Sequence, residues 1–199
     1  MLKPILTAIT LLPFLAVSAL ADQLSLNAIS GYLNALKTSK TEFTQINDDG
    51  TISTGMIFIK RPGKMRFEYN PPDSALVVVG AGLVVIDDTK SNQPPESYAL
   101  GRTPLSIILA KKVDLDRADM VTGHTFDGIA TTVTAQDPEH PEYGNIQLLF
   151  TAEPVELRQW VVNDDSGSQT TIILGAMDRD VRLPNDLFDA TALKERDTR

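Results

Sequence analysis

"LVVVGAGLVVIDD", Leu76 to Asp88, is the stretch on which the fold turns. Glycines between apolar runs, followed by aspartates, invite comparison with a dinucleotide-binding turn. That turn needs three glycines, a strand before it, a helix after it and an acidic residue about 20 positions further on. Gly80 and Gly82 lack the third glycine, and Asp87 and Asp88 arrive almost at once. The valines and isoleucine from Leu83 to Ile86 favour a strand. Two apolar strands joined by a short glycine-containing turn make a hairpin. Sheet is predicted here, and no nucleotide or other cofactor.

Strand patterns continue on both sides. In "KMRFEY", Met65, Phe67 and Tyr69 alternate with Lys64, Arg66 and Glu68, the period of a half-buried strand. "EFTQI" (Glu42–Ile46) and "TISTGMIFIK" (Thr51–Lys60) precede it, with Arg61-Pro62-Gly63 and "NPPDS" (Asn70–Ser74) as turns. "ESYAL" (Glu96–Leu100) follows the hairpin, and Thr103-Pro104 opens a short helix in "LSIILAKK" (Leu105–Lys112). Four further strands are read in "GIATTVTAQ", "NIQLLFTA", "VELRQWVVN" and "SQTTIIL", between Gly128 and Leu174. Near the start, "SLNAISGYLNALK" sets Leu26, Ile29, Leu33 and Leu36 at helical spacing behind Ser25 as N-cap. The closing "ALKERDTR" (Ala192–Arg199) is charged and expected to fray.

The first 21 residues read as a leader rather than as part of the domain. Lys3 is followed by an apolar run from Ile5 to Val17, broken by Pro13 and closed by Ala19-Leu20-Ala21. A basic start, a short apolar stretch and a small-x-small end describe a secretory signal peptide cleaved after Ala21. The alternative is a membrane anchor, for which the run is short against the roughly 20 residues of a span. The expectation is an exported, soluble domain from Asp22 to Arg199, without internal boundary. Losing Lys3 moves the net charge from −8 to −9, a balance that disfavours nucleic acid and anionic surfaces as partners. The chain contains no cysteine, which removes thiol catalysis, disulfides and the lipidated cysteine of a tethered protein.

Catalytic apparatus is not legible. His124 and His140 are far apart and lack ligand-type partners at helical spacing. No nucleophile elbow or phosphate-binding loop occurs, and the carboxylates fall in turn-like clusters. The reading is therefore a protein that is not an enzyme. What remains is apolar strand surface: "MIFI", "LVVV", "LVVI" and "WVV" are hydrophobic at successive positions. Either an ordinary two-layer core covers both faces, or the sheet curls around a cavity for an apolar ligand.

Over nearly the whole of the chain after the leader, and most specifically from Gly55 to Leu109, the sequence resembles a known family, the periplasmic outer-membrane lipoprotein carriers of Gram-negative bacteria (LolA-like). The resemblance rests on Phe43-Thr44-Gln45, on Gly55 before an apolar strand ending in Arg61-Pro62, and on an aromatic strand leading to Pro72-Asp73. "YALGRTPLSIIL" matches the family's Thr-Pro-Leu lid helix, and "LPNDLFD" its ending. It implies a mainly β fold: an unclosed, strongly curved antiparallel sheet, a half-barrel, with helices as a lid over an apolar cavity. The implied role is a monomeric chaperone that takes acylated lipoproteins from an inner-membrane lipoprotein-releasing transporter to an outer-membrane acceptor. Arg61 falls at the family arginine that reaches from a strand to hydrogen-bond the lid. Ile57, Ile59, Met65, Phe67, Leu76, Val78, Leu105, Ile108 and Leu109 are expected to line the cavity and lid. On residues alone, Arg61 reads rather as a solvated cation beside a turn, with its stem lying over the sheet.

Three features depart from the family pattern. The hairpin carries Gly80-Ala81-Gly82 where Asp-Gly is commoner, "TKSNQPPES" (Thr89–Ser97) has two prolines, and the single tryptophan, Trp160, comes late. A soluble acceptor, or a sensor of lipoproteins with the same fold, is the alternative role.

Overall fold

The computed structural model describes residues 22–88, 90–116 and 119–195; the leader and its cleavage site lie outside the described residues. Helix α1 (Leu26–Ala35) starts where Ser25 Oγ accepts from the Ala28 amide at 3.2 Å, the N-cap read from the sequence. Strands β1 (Thr38–Ile46), β2 (Ile52–Lys60), β3 (Lys64–Tyr69), β4 (Ala75–Gly80), β5 (Leu83–Asp88) and β6 (Glu96–Ala99) follow as a meander. A 3-10 turn (Leu100–Arg102) leads into α2 (Leu105–Leu109). The chain then forms β7 (Val121–Phe126), β8 (Ala130–Gln136), β9 (Asn145–Thr151), β10 (Glu156–Asn163) and β11 (Gln169–Leu174), which returns to pair with β1. The pair β12 (Asp178–Arg179) also joins β1, and α3 (Ala190–Glu195) ends the described chain.

The twelve strands make one sheet in the order β6-β5-β4-β3-β2-β1-β11-β10-β9-β8-β7, with β12 beside β1 off this path. Every pairing in it is antiparallel. The path ends at β6 and at β7, so the sheet is open. It is also strongly curved, as one aromatic pair demonstrates. Phe67 on β3 and Trp160 on β10 are four strand steps apart, about 19 Å along a flat sheet. Their rings meet edge-to-face with centroids 6.5 Å apart.

The glycine hairpin is a two-residue turn between Gly80 and Leu83. Ala81 (φ 50°) and Gly82 (φ 78°) both take positive φ, the signature of the type I′ turn that suits strand twist. Gly80 serves another purpose. A Cβ there would lie 2.1 Å from the Phe188 carbonyl oxygen, because the C-terminal segment packs flush on β4.

Two expectations change. The closing segment is no frayed tail as far as Glu195: α3 buries Ala190 and Leu193 against Val78 and Val85. β7 was not read as a strand, because "VTGHTF" carries little apolar signal; it is an edge strand paired only with β8 along the sheet path. His124 lies on β7, and its Nε2 is 2.8 Å from the Leu24 carbonyl oxygen.

Gly80→Ala should lower stability by about 1–3 kcal/mol by forcing a methyl group into the C-terminal segment. Ala81→Asn should raise it by up to about 1 kcal/mol by relieving the left-handed residue. Urea denaturation midpoints check both, and the opposite signs separate close packing from turn strain.

Candidate functional site

Alternation along each strand sorts side chains onto two faces. On the inner face stand Ile57 and Ile59 of β2 and Met65 and Phe67 of β3, all at most 6% exposed. The register sets Met65 opposite Val79 and Phe67 opposite Val77, so Val77 and Val79 continue this face onto β4. Leu76 and Val78 do not join it. They lie on the outer face in a second cluster with Val85 and Leu193. The cause is parity: four successive apolar residues carry no alternation of their own, and a shift of one position exchanges the faces.

The opposite wall comes from β8 to β11: Val133, Leu148, Phe150, Trp160 and Ile172 are buried in the same cluster as Ile57 and Phe67. Trp160, noted only as a departure in the sequence, is 1% exposed and meets Phe67 across the interior. Its alternation with Val162 on β10 was the available signal, blurred by an irregular register between Leu157 and Gln159.

Two short helices cover this face. Ile29, Tyr32 and Leu33 of α1 and Ile107, Ile108 and Leu109 of α2 are buried in the inner cluster, with Leu105 partly buried against it. Tyr32 meets Phe150 edge-to-face at 5.7 Å. The segment after α2 is clipped to α1 by polar bonds. Asn34 donates from Nδ2 to the Val113 carbonyl at 2.7 Å and accepts the Val113 amide at 2.9 Å, while Ser30 Oγ accepts the Leu115 amide at 2.9 Å.

Arg61 ties this cover to the sheet. It follows directly on β2, its amide bonds the Lys37 carbonyl at 2.8 Å, and its Nη2 donates to the Ala110 carbonyl, just past α2, at 2.6 Å. Beside it, the Gly63 amide donates to the Leu109 carbonyl at 2.9 Å. Burial lowers the pKa of the guanidinium, and its Nε is enclosed with no acceptor. The contact is therefore a strong charge-assisted bond offset by a desolvated donor, which costs about 1–3 kcal/mol. At the far end of β1, Tyr69 donates to Gln45 Oε1 at 2.7 Å, and burial pushes its hydroxyl up to about 12.

An open curved sheet, an apolar inner face and a lid pinned through an arginine can now be set beside known proteins. Residues 34–191 match the family model described as outer membrane lipoprotein carrier protein LolA. The chain belongs to this family. Among curated LolA relatives, the outer-membrane lipoprotein carrier protein of Cupriavidus taiwanensis is 26% identical over 206 residues, covering 97% of this chain and 96% of that protein. The protein of the same description from Dechloromonas aromatica is 28% identical, covering 93% and 89%. A crystal structure of a DUF1329 family protein from Desulfovibrio piger superposes with a TM-score of 0.50 at 14% identity, over 84% of this chain and 96% of that one. That likeness concerns the fold alone.

Asn34→Leu should destabilise this LolA family member by about 2–4 kcal/mol, because both polar groups of buried Val113 lose their partner. Urea unfolding measures the loss, and faster tryptic cleavage at Lys111 and Lys112 locates it. Alkaline pH tests the far end. With a folded pKa near 12 against an ordinary 10, Tyr69 binds its proton more tightly in the folded state. Its contribution is intact below pH 10 and is lost as pH rises through 12, a fall of about 2–3 kcal/mol. Tyr69→Phe should flatten that fall in urea titrations across the range.

Proposed function

We propose that the protein is a periplasmic chaperone that shields the acyl chains of lipoproteins between its curved sheet and its lid. It receives them from the inner-membrane lipoprotein-releasing transporter and delivers them to an outer-membrane acceptor. One observation carries the reading. The apolar inner face is roofed by two helices of only ten and five residues, held at one end by Arg61 on a backbone carbonyl. A roof so short is removable, and what it uncovers is suited to hydrocarbon.

Magnitudes support a carrier over a permanent binder. Each buried methylene contributes about 0.8 kcal/mol, so hiding about ten supplies roughly 8 kcal/mol, near a micromolar dissociation constant. Fully burying three long chains would approach the ceiling of noncovalent affinity and prevent release. Lid contacts that must break before cargo enters subtract from the gross affinity and keep delivery possible. In this role Arg61 acts by opposing the loaded state, while Ile57, Ile59, Met65, Phe67, Ile108 and Leu109 meet the chains.

Native mass spectrometry of the mature protein, co-expressed with a lipoprotein, should find a one-to-one complex that disappears when the cargo's acylated cysteine is replaced. Trp160, the only tryptophan and fully enclosed, should change its emission when a triacylated lipopeptide is added. Protein that stays cargo-free and spectroscopically silent refutes the proposal. Arg61→Leu should retain lipopeptide about tenfold more tightly, the effect of one lost charge-assisted bond. Unchanged affinity would remove Arg61 from the tuning.

A further inference from the structure

The sheet is open between its β6 side and its β7 side, and a cation–ring contact crosses that seam. The guanidinium of Arg102, at the end of the 3-10 turn after β6, lies 5.5 Å from the ring centroid of Tyr143. Tyr143 belongs to the loop between β8 and β9, on the other half of the molecule. Along the sheet, β6 and β9 are eight strand steps apart. The contact is thus made by the curl closing on itself.

Both sides of the contact are fixed in place. The Thr103 amide and hydroxyl both bond the Leu100 carbonyl, at 3.0 and 2.9 Å, and the Leu100 amide bonds the Gly82 carbonyl at 2.8 Å, which sets Arg102 on the β6 rim. Opposite, Tyr143 ends a 3-10 turn (Pro141–Tyr143), and the His140 ring stacks on it at 4.7 Å and 17°. Gly144 (φ 91°) seats this loop on β10: a Cβ there would lie 1.9 Å from the Asn163 carbonyl oxygen. The guanidinium–ring contact joins an exposed Arg102 to a half-buried Tyr143 and is weak. Arg61, by contrast, is half-buried and ties the lid to its own half of the sheet.

We infer that Arg102 and Tyr143 form a clasp across the seam, and that acyl chains enter by parting it first, before the Arg61 bond at the far end of the lid gives way. This rests on the carrier reading. An exposed cation–ring contact is weaker than the charge-assisted Arg61 bond, so it yields first.

The chain has no cysteine, so Arg102→Cys/Tyr143→Cys carries only the two thiols needed for a short bismaleimide bridge. With a fluorescent triacylated lipopeptide as probe, the bridged protein should load many-fold more slowly than the same variant unbridged. Arg102→Ala should load about two- to fivefold faster with an unchanged urea midpoint, and Arg102→Lys should fall between it and the native protein. Loading at the same rate with and without the bridge overturns the clasp. A protein that takes up no lipopeptide in any form refutes the carrier reading instead. The clasp is then decided by amide exchange without cargo: faster exchange across residues 96–104 in Arg102→Ala supports it, and unchanged exchange overturns it.

Discussion

The inner face of this sheet has to be kept from water, and most of the architecture follows from how that is done. A flat sheet with one apolar face needs a full layer of helices or a second sheet over it. Here the sheet supplies most of its own cover by curving until Phe67 and Trp160 touch. The residual gap is left to α1 and α2, fifteen residues together. Their short length is sufficient because the curvature has already narrowed the area to be closed.

So small a cover cannot rely on burial alone, and the polar ties around it have distinct roles. Asn34 and Ser30 join the segment after α2 to α1, so that the two parts of the roof form one body. Arg61 and Gly63 join that body to the β2–β3 end of the sheet. At the opposite wall, the Leu24 amide donates to Thr131 Oγ1 at 2.9 Å while the Leu24 carbonyl faces His124. The roof is thus assembled internally and attached at its edges by individual hydrogen bonds, each worth about 1 kcal/mol or somewhat more when charged. These edge bonds can break one at a time, whereas the apolar residues of α1 and α2 pack into the inner cluster as a unit.

The sequence made the strands legible wherever it alternates. "KMRFEY" identified both the strand and its inward residues, and pairing then carried that assignment to β2. "LVVV" was legible as a strand and misleading as to face, since nothing within it separates Val77 and Val79 from Leu76 and Val78. β7 escaped because an edge strand with threonines, glycine and histidine has no apolar period. Arg61 was ambiguous as a residue, and only the resemblance pointed to its hydrogen bond with the lid. Trp160 and Asn34 were not identified as parts of the site, because their importance comes from partners 93 and 79 positions away in the chain. Long-range contacts of that kind are set by curvature, which no local pattern records.

The glycines of the first hairpin belong to this same problem of cover. β4 and β5 are apolar on both faces, so the inward set joins the common core and the outward set needs a roof of its own. The C-terminal segment provides it. Lys60 Nζ donates to the Leu183 carbonyl at 2.6 Å, Lys64 Nζ to Asn185 Oδ1 at 2.9 Å and Arg66 Nη1 to the Leu187 carbonyl at 3.1 Å. Those cations are the polar half of the alternation whose apolar half faces inward. Having reached the outer face, they lead the segment across β2 and β3 to Gly80, where the absent side chain lets Phe188 settle against the strand. Leu193 then closes over Val78 and Val85. Alternation on β3 thus organises both faces at once, with Met65 and Phe67 in the core and Arg66 directing the last segment over a surface that would otherwise stay exposed.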